Sequence, residues 1–206
     1  LNRKNETNDN NEKINYLLYE ISNLRKKLRG GDNPQNSYFK KESEYTKKSF
    51  DFQWQTLPKS ELLLSNDRFK KSVKNIICQY CDLPSQWFKN KTVLDAGCGN
   101  GRFTYGFCKL EAKVFSFDIS SSGVSTVREK LQNFPNLKEC LQHDILTLHQ
   151  DYFNKFDLVW CYGVIHHTKD AHQAFLNLTR YVKMGGYLFL MVYGEPRQNH
   201  PEDFVE

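Results

Sequence analysis

Val93-Leu94-Asp95-Ala96-Gly97-Cys98-Gly99-Asn100-Gly101-Arg102 decides the fold. An apolar strand runs into a glycine turn, and a helix of about 101–110 follows. Such a turn lets backbone approach a ligand closely and aims helix N–H groups at it. By itself it suits several kinds of nucleotide. The dinucleotide fingerprint G-x-G-x-x-G asks for a third glycine where this chain has Arg102. A P-loop needs Gly-Lys-Ser/Thr, and none is present. The turn therefore disfavours NAD and ATP.

Downstream, strand and helix patterns alternate. Lys113–Asp118 reads as a second strand, 121–133 as a helix, Leu137–His143 as a weaker third strand and Phe156–Tyr162 as a fourth. A helix of about 169–182 and a fifth strand, Tyr187–Tyr193, complete the series. This alternation implies βαβ units and a parallel sheet, and the continuous apolar runs fit strands buried on both faces. Asp118, at the end of strand two, can accept both hydroxyls of a ribose. The alternative is a cap for the following helix.

Upstream, Ile14, Leu17, Ile21, Leu24 and Leu28 form a heptad seam in a helix of about 11–29, stopped by Gly30-Gly31. The seam either pairs two chains or docks on its own domain. Residues 32–49 read as a polar linker. Phe50-Asp51-Phe52-Gln53-Trp54 is a candidate lid, with Trp54 either stacked over a ligand or stapled onto the sheet. Ser65-Asn66-Asp67 caps a helix with Phe69, Val73, Ile76, Ile77 and Tyr80 on its apolar face. The expected division is an extension at 1–49 and a domain at 50–206.

Charge narrows the partners. Residues 1–50 hold 11 Lys/Arg against 7 Asp/Glu, whereas residues 51–206 hold 18 against 17. The nearly neutral domain lacks the basic surplus of a phosphate-binding face. No run of about 18 apolar residues offers a membrane span, and no secretory h-region follows Leu1. The six cysteines suggest no disulfide framework, which points to a cytoplasmic setting. Cys78-Gln79-Tyr80-Cys81 lacks two further zinc ligands, so no metal is expected.

Taken together, the motifs resemble the class I S-adenosylmethionine (SAM)-dependent methyltransferases, in the form seen in quinone-biosynthesis-type and related small-molecule enzymes. Val93–Arg102 is similar to the family's first motif and Phe115–Ile119 to its second. Gln142-His143-Asp144-Ile145 resembles the third, and Phe156–His167 the fourth. The likeness covers roughly residues 88–194. It implies a Rossmann-like, doubly wound α/β sheet preceded by an N-terminal helical extension. Strands six and seven of the family sheet are missing, so a C-terminally truncated domain is expected.

The resemblance also implies roles. Gly97, Gly99 and Gly101 would pack against the methionine part of SAM, and Asp95 would orient its ammonium. Asp118 and Ile119 would take the ribose and adenine, Asp144 and Ile145 the adenine amino group and ring. Cys161 and Tyr162 would border the methyl, with Trp54 as cover. His166, His167 or Tyr162 are the candidates for a base, Tyr193 and Glu195 for the rim. One histidine can instead pack on the next helix while the other caps it. The function expected is methyl transfer to a metabolite, glycan or lipid. The alternatives are a non-catalytic SAM-binding assembly domain and a protein methyltransferase. Nucleic acid is disfavoured, also because no Asn/Asp-Pro-Pro-Tyr/Phe-like sequence follows strand four. Self-association through helix 11–29 is a possible partner mode.

Overall fold

The computed structural model describes residues 36–56 and 67–194. The expected helix at 11–29, the Ser65-Asn66 cap and Glu195 lie outside the described residues. The chain parts into two compact units, residues 1–40 and 41–206. Residues 36–40, the described part of the first, are the opening turns of helix α1 (Asn36–Thr56). The remainder of α1, the sheet and its flanking helices belong to the second unit.

The expected linker at 32–49 is overturned in large part, because residues 36–49 are already helix. No Gly or Pro interrupts 36–56, and its Lys, Glu and Gln residues propagate a helix readily. Glu44 and Lys48 pair one turn apart at 3.4 Å. Phe50 and Trp54, also one turn apart, share one face. The polarity that suggested a linker is the solvated side of this helix.

Helix α2 (Asp67–Cys81) buries Val73 and Ile77. Strand β1 (Thr92–Ala96), helix α3 (Arg102–Lys109), β2 (Lys113–Asp118) and α4 (Ser121–Leu131) come next. Then come β3 (Leu137–Gln142), β4 (Phe156–Tyr162), α5 (Ala171–Tyr181) and β5 (Val182–Met191). All five strands are parallel, in the order β3-β2-β1-β4-β5. This is the Rossmann-like sheet with flanking helices. β5 begins five residues earlier than expected and takes in Gly185-Gly186, where its register against β4 shifts.

The sheet separates two apolar layers. Val73, Ile77, Phe88, Phe107 and Trp160 form one, under α2 and α3. Leu94, Phe117, Phe156, Leu178 and Tyr181 form the other, under α5. Trp160 is wholly buried and stacks on Phe189 with centroids 3.9 Å apart. Truncating such a residue costs about 3–5 kcal/mol. The order reverses between β1 and β4, which leaves a crevice above the carboxyl ends of those strands, the place where open α/β sheets bind ligands.

Candidate cofactor and acceptor cavity

That crevice is a cavity of about 690 Å³, bordered by α1 on one side and by the turns after β1, β2, β3 and β4 on the other. The volume lies in the range of small-molecule sites.

The glycine turn is its floor. Gly97 and Cys98 donate their N–H groups to the Phe117 carbonyl at 2.8 and 3.0 Å, which ties the turn to β2. Gly99 has φ +52°, and a Cβ there would lie 2.7 Å from the Trp54 ring. Only glycine lets the α1 indole sit so close to this backbone.

Asp118 locks the turn from beneath. Its carboxylate accepts from the Gly99 N–H at 2.7 Å and from the Ser120 N–H at 2.8 Å. Burial raises its pKa, and those N–H bonds work against the rise. Asp95, 2 % exposed, accepts from the Thr104 hydroxyl at 2.6 Å. Burial pushes its carboxyl up to about 7, opposed first by the Thr104 bond and then by the nearby Arg102 charge.

Beyond β3, His143 donates its backbone N–H to the Asp118 carbonyl, and its ring meets the Thr147 carbonyl at 2.9 Å. Asp144 accepts from the Leu146 N–H at 2.9 Å. This orders the loop that carries Ile145.

The other end is aromatic. The Arg102 guanidinium covers the rings of Phe103 and Tyr162, 4.8 and 5.0 Å from their centroids. His167 meets Phe50 of α1 edge-on at 5.5 Å and lies 4.1 Å from His166, centroid to centroid. His166 lies 4.3 Å from Tyr193. Burial lowers the pKa of both histidines, so both are neutral at neutral pH.

The Asp51 carboxylate ties helix α1 to the start of α4 beside the cavity. Asp51 accepts from the hydroxyls of Ser120 at 2.7 Å and Ser122 at 3.2 Å, and from the Ser122 N–H at 3.2 Å. It therefore sits at the N-terminus of α4, where a negative charge is favoured. Burial acts to raise its pKa, but these hydrogen bonds outweigh it and hold the group below its ordinary value.

Residues 94–190 match the family described as the methyltransferase domain. Residues 94–190 thus form a methyltransferase domain, and its fold is that of SAM-dependent methyltransferases. Among relatives of this domain, a tRNA U34 carboxymethyltransferase of Campylobacter hominis is 32% identical over 121 residues, 56% of this chain and 39% of that protein. A ubiquinone biosynthesis O-methyltransferase of Coxiella burnetii is 31% identical over 49% of this chain and 43% of its own. The chain thus spans about two fifths of the length of these relatives. A Haemonchus contortus phosphoethanolamine N-methyltransferase, in complex with phosphoethanolamine and S-adenosylhomocysteine, has the same fold. Its TM-score is 0.59 at 22% identity, over 73% of this chain and 32% of that one. Magnesium protoporphyrin IX methyltransferase from Synechocystis, with bound SAM, gives 0.53 at 19%, over 68% and 72%.

The methyltransferase domain brings most of the expected residues to one cavity: Asp95, Gly97, Gly99, Asp118, Ile119, Asp144, Ile145, Tyr162, His167 and Trp54 line it. Three do not. Cys161 is wholly buried among Leu94, Val159 and Tyr181 on the α5 side, since alternate residues of a strand face opposite ways and its neighbour Tyr162 takes the cavity side. Gly101 turns toward α4, where a Cβ would meet Val127 at 2.7 Å, so it serves helix packing. His166 stays behind His167, its ring nitrogens buried without a hydrogen-bond partner. Sequence reading missed Asn100, Phe117, His143 and the α1 residues Tyr45, Thr46 and Ser49. His143 sits inside the quoted third motif, which was the available signal. The α1 residues gave none, because nothing local shows that their helix returns to the sheet.

Proposed function

We propose that this protein transfers a methyl group from SAM to a small-molecule acceptor in the cytoplasm. One observation carries the reading. A single cavity joins the glycine turn and three carboxylates, Asp95, Asp118 and Asp144, to a neutral imidazole, His167, at its far end.

The residues fit the cofactor. Gly97 and Gly99 present bare backbone to the cavity, with Val164 and Trp54 filling the space their side chains would take. The indole N–H of Trp54 is buried with no hydrogen-bond partner, a donor that a polar ligand would satisfy. The carboxylates follow the sheet order, β1, β2 and then the loop after β3. Asp95 would take the ammonium, Asp118 the ribose hydroxyls and Asp144 the adenine amino group, with Ile119 and Ile145 against the ring. When bound, SAM supplies an electrophilic methyl on a sulfonium.

The chain's own work is alignment and the exclusion of water. Gly99 and Ser120 hold Asp118 before any ligand arrives. Trp54 and Phe50 close the cavity from α1. Neutral His167 can accept a proton from an acceptor hydroxyl or amine, and Tyr162 borders the same space. Tyr45, Phe50, Tyr162 and Tyr193 give that space an apolar, aromatic lining suited to a metabolite. The near balance of charge in 51–206 supports this reading. The Campylobacter relative favours an RNA acceptor as the second reading.

Titration calorimetry with S-adenosylhomocysteine tests the cofactor. Binding is expected, with a loss of about tenfold or more in Asp118→Ala. No binding at millimolar ligand rejects it. Labelled SAM incubated with small-molecule and RNA fractions of a cell extract tests the acceptor. Label in the small-molecule fraction, reduced by His167→Ala, is the expected result. Label in RNA favours the second reading, and binding without label leaves a SAM-binding module.

A further inference from the structure

Cys98 stands between Gly97 and Gly99 in the turn that floors the cavity, and it lines that cavity itself. Cys140 belongs to β3, two strands away from β1. The fold nevertheless brings the two together. The Cys98 N–H bonds to the Phe117 carbonyl of β2 at 3.0 Å, which bends the turn over that strand. Cys140 pairs with Ser116, the neighbour of Phe117, from the other side. Both cysteines are 6 % exposed and pack with Val124, Val127 and Leu131 of α4. Their thiols share a hydrogen bond. Their remaining contacts are long: 3.8 Å from Cys98 Sγ to the Gly99 carbonyl and 4.0 Å from Cys140 Sγ to that of Val124. Both cysteines are free, and methyl transfer uses neither thiol.

The pair is unequal. The bond from Cys98 holds the Cys140 thiol below its ordinary value against the opposing effect of burial, helped by Ser116 and the charge of Arg128. Arg128 is fixed there by donating Nε and Nη2 to the Cys140 carbonyl at 2.9 and 2.6 Å. The same thiol bond and burial push Cys98 up. The shared proton therefore stays on Cys98, and Cys140 supplies the thiolate, the nucleophilic form of a cysteine.

We infer that Cys98 and Cys140 form a dithiol site that reduces a peroxide and closes to a disulfide, and that this disulfide shuts the cofactor cavity. The Cys140 sulfur attacks one peroxide oxygen, the O–O bond breaks, and the leaving hydroxide takes the Cys98 proton. Cys98 then attacks the sulfenic sulfur of Cys140. The S–S bond forms, and a second hydroxide leaves and takes up the proton that Cys140 had released. Two thiols thereby lose two electrons and two protons, and hydrogen peroxide becomes two waters. A covalent bond of about 2 Å is much shorter than a contact between thiols. Closing it draws Cys98 toward β3, and glycines at φ +80° and +52° on either side let the turn follow. The Gly99 N–H is then pulled from Asp118, its partner at 2.7 Å. In a reducing compartment such a bond is transient and regulatory. The shutting of the cavity rests on the proposed SAM site, whereas the dithiol chemistry does not.

The reduced full chain is treated with hydrogen peroxide and mapped by peptide mass spectrometry. Its affinity for S-adenosylhomocysteine is measured by calorimetry before treatment, after it, and after dithiothreitol. A Cys98–Cys140 cross-linked peptide is expected, with affinity weakened about tenfold or more and restored by the reductant. Prior binding of S-adenosylhomocysteine should slow the cross-link, because ligand and disulfide exclude each other. Cys140→Ala should bind as the wild type does and keep its affinity through peroxide. If it does not fold, Cys140→Ser carries the same comparison. No cross-link between these two cysteines, or one that leaves the affinity unchanged, overturns the proposal. An equal loss of affinity in the Cys140 variant also overturns it, by placing the damage elsewhere. Reduced wild type that binds no S-adenosylhomocysteine rejects the cofactor reading and the closure with it, and the peptide map alone then decides the dithiol site.

Discussion

Asp95 sets two pH dependences of opposite sign. Its carboxyl titrates near 7 in the folded protein against an ordinary value of 3.8. A raised acid holds a proton that the unfolded chain has released. The ligand-free protein therefore gains stability as pH falls through about 7, and that gain is complete below about 3.8. Asp118, also raised, adds in the same direction. Holding an ammonium needs the ionised form, so affinity for S-adenosylhomocysteine should drop as pH falls below about 7. The drop approaches about tenfold per pH unit. Thr104→Val removes the hydroxyl that steadies the carboxylate. It should weaken binding at neutral pH and recover near about pH 9. Melting curves and calorimetry across this range check both signs. A flat affinity between about pH 6 and 8 removes Asp95 from the ammonium's site.

Element by element, α1 depends on Asp51. The carboxylate reaches the first turn of α4, while Ser120 caps that helix itself by accepting from the Gly123 N–H at 3.1 Å. Asp51 thus adds an anion at a helix start that already has its own hydroxyl cap. Asp51→Ala should cost about 0.5–2 kcal/mol, the range measured for a lost N-terminal cap. Because α4 keeps Ser120, the loss should fall on α1. Proteolysis within 41–56 should quicken, and S-adenosylhomocysteine should bind more weakly, while α4 and the sheet stay protected from hydrogen exchange. Loss of protection across the whole sheet instead would show that Asp51 supports the entire fold. The sequence hid this arrangement for a physical reason. Asp118 and the strand boundaries of β4 were legible because apolar runs and a turn are local signals. The joining of α1 to α4 is a contact across about 70 residues with no local signature. Cys161 was misplaced for a subtler reason: a motif names both residues at a strand tip, and only the pleat decides which one faces the cavity.

At the scale of the molecule, charge separates the acceptor classes. The six free cysteines and the want, among the described residues, of a helix long and apolar enough to cross a membrane add nothing to that choice. Residues 51–206 carry one cation more than anions, and the surplus sits in the first 50 residues. An RNA acceptor must be held through its phosphates, and each contact releases counterions. Turnover of such a substrate falls steeply with salt, by about 10³ or more between about 50 and 200 mM where many phosphates are engaged. A small acceptor lined by Tyr45, Phe50, Tyr162 and Tyr193 is held with little help from charge, so salt changes its binding little. Methyl transfer to it should change less than about threefold over that range. The comparison is sharpest with residues 1–40 removed, since these carry 8 Lys/Arg against 5 Asp/Glu. For a metabolite acceptor, kcat/KM should be the same with and without them and nearly flat in salt. A steep salt slope that flattens on their removal would assign the basic segment to RNA and overturn the small-molecule reading.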